Sequence, residues 1–175
     1  MGIKGVRTRK KTNNLITHKQ LCRIAAQYLA GHRFNCPVVV TEFSSIKNYE
    51  IPDALGFDSN GKSYLIECKI SRSDFLADKN KIFRQNFGEL GIGNERYYLV
   101  PAGMVEPNEV PEKWGLLEQG EHNILMTKKP EYFDSNHIAE NQILISAIRR
   151  LKLSTAVFVQ PENGFSENFE PQGEN

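Results

Sequence analysis

Behind Thr17-His18-Lys19-Gln20, apolar residues recur at Leu21, Ile24, Ala25, Tyr28 and Leu29, the spacing of one helix face. The four residues before the stripe fit a capping box, in which the Thr17 hydroxyl and the Gln20 amide satisfy backbone amides at a helix start. Gly31 is the expected terminator. Residues 36–43 are β-branched and continuous enough for a buried strand. Residues 51–57 and 63–70 read as two short strands, joined by Asp58-Ser59-Asn60-Gly61-Lys62, whose Asn-Gly step signals a hairpin. Ser73 is placed to cap a second helix running to about residue 87. Its inward residues are Phe75, Leu76, Ile82, Phe83 and Phe87, its more outward ones Lys79, Lys81 and Arg84, and Gly88 lies close to its end. Residues 96–100 form a strand stopped by Pro101, and residues 114–118 and 123–127 a hairpin turning at Gln119-Gly120-Glu121. A last helix is predicted over residues 136–152. Ile138, Ile143, Leu144, Ala147 and Leu151 make its stripe, and Arg149, Arg150 and Lys152 sit where cations favour the helix dipole. Residues 156–159 suggest a short strand. The order α-β-β-β-α-β, with accessory elements behind it, predicts one mixed α/β domain without internal repeat or linker.

Composition narrows the setting without naming a chemistry. A chain of 175 residues is sized for one domain, and its apolar and charged fractions are those of a globular protein. No stretch approaches the roughly 20 apolar residues of a membrane span, and the basic N-terminus lacks a signal-peptide core, so a cytoplasmic protein with no membrane partner is expected. Cys22, Cys36 and Cys68 form no CxxC pair and are expected to be reduced, buried thiols. His18, His32, His122 and His137 show no metal-ligand spacing, which argues against zinc; His18 and His32 are expected only to decorate the first helix.

Charge changes the picture more. Residues 1–41 carry Lys4, Arg7, Arg9, Lys10, Lys11, Lys19, Arg23 and Arg33 and no acid, whereas the last fifteen residues carry Glu162, Glu167, Glu170 and Glu174 and no base. The division expected is a basic arm (1–16), a single domain (17–160) and an acidic flexible tail (161–175). A basic arm can neutralise phosphates and release their counter-ions; it can equally be a merely soluble terminus.

Candidate chemistry lies in the first hairpin. Glu50-Ile51-Pro52-Asp53 is followed fourteen residues after Asp53 by Glu67-Cys68-Lys69. If the hairpin closes with Phe57 facing Ser63, Leu55 faces Leu65 and Asp53 faces Glu67. Directly opposed residues share a face about 5 Å apart. Lys69 joins that face because the strand period is two. Two adjacent carboxylates repel, and a divalent cation removes the penalty; hard oxygen ligands of this kind suit Mg2+. An acid, a hairpin-length gap and acid-x-lysine is a compact way to build a metal-dependent phosphodiester-cleaving site. The same spacing also suits a solvated hairpin face.

These residues resemble the PD-(D/E)xK nuclease superfamily, whose core is the α-β-β-β-α-β succession. Pro52-Asp53 looks like its first acid and Glu67-Cys68-Lys69 like its (D/E)xK. The run from Ile66 through Ser71-Arg72-Ser73-Asp74-Phe75 to Lys79 is similar to a segment of the MmcB-like DNA-repair branch, as are Arg96-Tyr97-Tyr98-Leu99-Val100-Pro101 and Trp114-Gly115-Leu116-Leu117. The resemblance spans about residues 17–130.

The resemblance implies a restriction-endonuclease-like α/β core with a mixed sheet and flanking helices, and a Mg2+-dependent DNA nuclease, with Mn2+ as substitute, that leaves a 5′-phosphate. Asp53 and Glu67 would hold the ion with the backbone carbonyl of Cys68, whose side chain points into the core, and Lys69 would position water and stabilise charge. Many members add a glutamate from the first helix. This chain offers Gln20 and Gln27 there, so either Glu42, Glu50 or Gln20 supports the ion, or the metal site is weaker than the family's. Ser71, Arg72 and Lys79 would lie near the phosphate path, with Arg7, Arg9, Lys10 and Lys11 on the arm; helix capping is the alternative for Ser71, and solvated helix surface for Arg72 and Lys79. Trp114, Tyr97 and Tyr98 are read as core aromatics, Asp74 as a residue favoured by the helix dipole, and Asp78 as part of a conceivable second acidic cluster. Members that cut both strands often act as dimers, which leaves a homodimer open. Two other readings remain: a nuclease-fold protein that binds nucleic acid with little cleavage, and a phage or mobile-element factor that inhibits a partner.

Overall fold

The computed structural model describes residues 16–43, 51–79 and 91–151. Helix α1 (His18–Ala30) starts as its capping box requires, with Thr17 Oγ1 accepting the Gln20 amide at 3.3 Å and the Gln20 side chain accepting the Thr17 amide at 2.8 Å. It stops at Gly31, whose φ of −73° is extended rather than left-handed. Strand β1 (Val38–Thr41) is shorter than expected and half exposed rather than buried, because among the described residues it lies at the sheet edge with β2 as its one strand neighbour.

Strands β2 (Ala54–Phe57) and β3 (Ser63–Cys68) close the predicted hairpin in the predicted register, with Phe57 opposite Ser63 and Leu55 opposite Leu65. Asp58 organises the turn: its Oδ1 accepts the amides of Asn60 at 2.8 Å and Lys62 at 3.0 Å, and Gly61 supplies the positive φ of 80°. Helix α2 (Arg72–Lys79) is capped by Ser71 rather than Ser73, since Ser71 Oγ accepts the Asp74 amide at 3.2 Å. Phe75 is buried in it while Leu76 is exposed. The rest of the predicted second helix, the strand over residues 156–159, the arm and the tail lie outside the described residues.

Strand β4 (Glu95–Pro101) runs parallel to β3, and β5 (Gly115–Gln119) runs parallel to β4. Strand β6 (Ile124–Lys128) returns antiparallel, so the mixed sheet has six strands in the order β1-β2-β3-β4-β5-β6. Helix α3 (His137–Arg150) is capped by the Asn136 side chain. Ile143 is its buried centre, but Ile138 (74 %) and Leu151 (70 %) are exposed, so the predicted stripe is wider than the face that packs.

Alternation along the strands splits the core into two layers. On one face Leu21, Cys22, Ala25 and Leu29 of α1 meet Ala54, Ile66, Cys68, Tyr97, Leu99 and Leu117. On the other, Leu55, Leu65, Tyr98, Val100 and Leu116 meet Phe75 of α2 and Ile143 of α3, with Trp114 stacked on Tyr98 at 4.7 Å. The aromatic pair is therefore core, as expected. Buried Glu140 ties α3 to the sheet by accepting Ser63 Oγ at 2.6 Å and the Gly93 amide at 2.9 Å. Gly93 has a φ of 89°, and a Cβ there would stand 2.7 Å from that of Leu65, so only glycine lets this loop lie on β3. Among the described residues, no helix is long and apolar enough to cross a membrane.

Candidate functional site

The sheet alternation that buries Leu65 and Tyr98 toward α2 also turns Glu67 and Lys69 that way, at the C-terminal end of β3. In open α/β sheets that end of the strands is where ligands bind. Lys69 is 5 % exposed, and three carboxylates from three segments of the chain surround its Nζ: Glu67 Oε2 at 3.2 Å, Asp78 Oδ1 at 3.5 Å and Asp53 Oδ2 at 3.9 Å. Burial alone would lower the Lys69 pKa. The attraction of Glu67, Asp78 and Asp53, with the Glu67 hydrogen bond, overrides it, and the pKa is raised. The ammonium form is thus held in a nearly dry place among carboxylates.

Each carboxylate is positioned by a separate contact. Asp53 lies one residue before β2, where the hairpin register brings it level with Glu67; its Oδ2 accepts the Cys68 amide at 2.8 Å. The Cys68 thiol is fully buried on the opposite face, among the α1 contacts, as its motif position implied. A hydrogen bond with Cys22, then burial, push its pKa far up. Asp78, 1 % exposed near the end of α2, is oriented by the Tyr98 hydroxyl, which donates to Oδ2 at 2.8 Å.

Two residues outside the expected catalytic set belong here. Asp78 had a visible signal, its i, i+4 spacing from Asp74, yet Asp74 is exposed and only Asp78 turns inward. His18 does not merely decorate α1, because its Nε2 lies 3.4 Å from Asp53 Oδ1, with Cys22 Sγ 3.5 Å from its Nδ1. No linear spacing shows this, since the hairpin supplies Asp53.

Of the predicted supporting residues, the two that are described, Gln20 and Glu42, do not bring their side chains to the cluster. The Gln20 side chain is committed to the Thr17 cap. Glu42 is exposed; it contributes its backbone amide, which donates to the Asp53 carbonyl at 3.3 Å, from a left-handed φ of 46°. Glu50 lies outside the described residues. Of the residues expected on a phosphate path, Ser71 is occupied as the α2 cap. Arg72 is gripped by both carboxylate oxygens of Glu109 and donates to the Met104 carbonyl at 3.2 Å, so its charge is already matched. The Lys79 side chain, Arg7, Arg9, Lys10 and Lys11 lie outside the described residues. An open depression of about 910 Å³ lies beside α1, lined in part by Gln20, Arg23, Ile70, Pro101 and Gln119; none of the cluster's carboxylates and not Lys69 lines it.

No family model and no curated protein matches the chain. A solved structure of a protein of unknown function from Silicibacter pomeroyi is similar to it. The TM-score is 0.58 and the identity 25 %, over 78 % of this chain and 90 % of that one. The likeness agrees with the α/β architecture and carries no activity.

Proposed function

We propose that the protein is a metal-dependent nuclease that hydrolyses phosphodiester bonds in DNA, with Asp53, Glu67 and Lys69 at its centre and Asp78 as a further acidic member. The observation that carries this reading is the convergence of charge in a nearly buried cluster. Three carboxylates from three segments of the chain meet one ammonium within 3.9 Å. Gathering buried charge is expensive, and hard oxygen donors in this number are what a small divalent cation takes. The order of elements, α1-β1-β2-β3-α2-β4, also agrees with the succession that the motif resemblance implies.

Asp53 and Glu67 would hold Mg2+, or Mn2+ in its place, with the Cys68 carbonyl. The ion, when bound, would polarise a phosphate oxygen and lower the pKa of an attacking water. The remaining work falls to the chain. The Cys68 amide pins the Asp53 carboxylate. Tyr98 orients Asp78, and Asp78 with Glu67 keeps Lys69 charged and aimed into the cluster. A fixed ammonium in a dry site stabilises the negative charge that builds on the phosphate as it is attacked.

The test is cleavage of supercoiled plasmid and of single-stranded DNA with Mg2+ or Mn2+, by the full chain and by Asp53→Ala and Lys69→Ala, with melting curves run on each. Wild type is expected to cut only with metal, and each folded variant to lose at least about a hundredfold in rate. Cleavage without metal, or equal cleavage by the folded variants, overturns the assignment. A second reading, DNA binding without turnover, is favoured by one observation: α1 presents His18 to Asp53 rather than a carboxylate. Metal-stimulated DNA binding by a wild type that leaves the strands intact would select it.

A further inference from the structure

The geometry points to a second metal site, for a borderline-soft divalent cation of the Zn2+ class, made by His18, Cys22 and Asp53. It shares Asp53 with the carboxylate–lysine cluster but uses the other side of that residue. His18 and Cys22 are four residues apart on α1 and project from one helix face. His18 Nε2 lies 3.4 Å from Asp53 Oδ1 and 3.8 Å from Cys22 Sγ, and one ligand atom from each of the three residues falls within 4.8 Å of the others. A tetrahedral Zn2+ with bonds of about 2.0–2.1 Å to nitrogen and oxygen and about 2.3 Å to sulfur sets N–O edges of roughly 3.3 Å and N–S edges of roughly 3.6 Å. The two distances found in the protein come within a few tenths of an ångström of those edges.

How Asp53 divides its oxygens bears on the same site. Oδ2 accepts the Cys68 amide and faces Lys69 at 3.9 Å, whereas Oδ1 faces His18. An ordinary hydrogen bond between His18 and Cys22 along the helix would not require a carboxylate oxygen aimed at the same imidazole. One half of the site is therefore all oxygen and carries an ammonium; the other offers nitrogen, sulfur and oxygen. Mixed sets of the second kind select Zn2+ and its neighbours over Mg2+. Cys22 is buried and the His18 side chain is 37 % exposed, so the approach is from the His18 side, where a fourth ligand can enter. Three protein ligands with one open position are the pattern of reactive rather than purely structural zinc sites.

This inference does not rest on the nuclease reading, and its test reads metal binding alone. The full chain is titrated with Zn2+ by calorimetry and with Co2+ as a spectroscopic probe, beside His18→Gln, Cys22→Ser and Glu67→Gln. Wild type is expected to take one Zn2+ and to show, with Co2+, tetrahedral ligand-field bands and a near-ultraviolet thiolate-to-cobalt band. Cys22→Ser removes that band. His18→Gln, a change at a half-exposed helix position whose folding is checked by its melting curve, weakens Zn2+ binding at least about tenfold, and Glu67→Gln leaves it within about threefold. The site is overturned if wild type shows no thiolate band, if the band persists in Cys22→Ser, or if His18→Gln binds Zn2+ as wild type does. Binding lost in Glu67→Gln but kept in Cys22→Ser would place the cation among the oxygens, rejecting this site and leaving the nuclease reading standing. A thiolate band in a protein that never cuts DNA would do the reverse.

Discussion

Lys69 is the residue on which the cluster turns. With three carboxylates within 3.9 Å and almost no solvent, its ammonium is a counter-charge common to all three, and removing it takes that partner from each acid at once. Breaking a buried ion pair from one side costs about 3–5 kcal/mol. Lys69→Met, which keeps much of the volume, is therefore expected to lose that much stability in metal-free urea unfolding. Mg2+ should restore part of it, about 2.7 kcal/mol at a hundredfold excess over the dissociation constant. A Lys69→Met protein as stable as wild type without metal would mean that the acids are not charged in the fold, and the charge argument would fail. The pairing of Arg72 with Glu109 teaches the complementary lesson. A cation close to a motif in sequence is not a free cation in space, and Arg72 already has its carboxylate.

At the scale of elements, the first turn of α1 bears more on the site than its polar sequence suggests. His18 is the first helical residue, so the Thr17–Gln20 box that starts the helix also sets where the imidazole stands against Asp53. Thr17→Ala is expected to cost about 1 kcal/mol, read as a lower denaturant midpoint with unchanged slope, while Thr17→Ser keeps most of it. An unchanged midpoint for Thr17→Ala would show that packing of Leu21, Ala25 and Leu29 places the helix without its cap. Strand β3 works by the same economy: one period-two alternation sends Ile66 and Cys68 to α1 and Leu65, Glu67 and Lys69 to α2. A slip of one residue would bury the acid and the lysine against the apolar face formed by Leu21 and Cys22.

Across the whole molecule, near-zero net charge conceals a polar distribution, with no acid before residue 42 and only acids among the charges of the tail. If the arm engages a nucleic-acid backbone, deleting residues 1–13 removes Lys4, Arg7, Arg9, Lys10 and Lys11. The salt dependence of DNA affinity should then flatten by about 0.9 in log–log slope for each phosphate that the arm no longer neutralises. A slope that does not change on deletion would show that the arm is not a phosphate clamp. Arg72 offers such a ligand no free guanidinium, because Glu109 already pairs with it.

The sequence by itself determined what depends on neighbours along the chain. The Thr17 box, the Asp58–Lys62 turn, the Leu55–Leu65 register and the order of elements were all readable, because caps, turns and strand alternation are set within a few residues. It was also enough to bring Asp53, Glu67 and Lys69 together, since a two-strand hairpin is still a local object. What only the tertiary structure decided crosses between elements. Asp78 enters because α2 packs on β4 and Tyr98 reaches it; His18 and Cys22 enter because α1 lies across β2 and β3; Arg72 is withdrawn because Glu109 arrives from a short 3-10 turn distant in sequence. Ile138 and Leu151 show the same limit from the apolar side, for helical periodicity reports which residues could face a core and not how far that core extends. Those outcomes follow from how the layers dock, and docking depends on the shape of two surfaces together, which no spacing along one chain records.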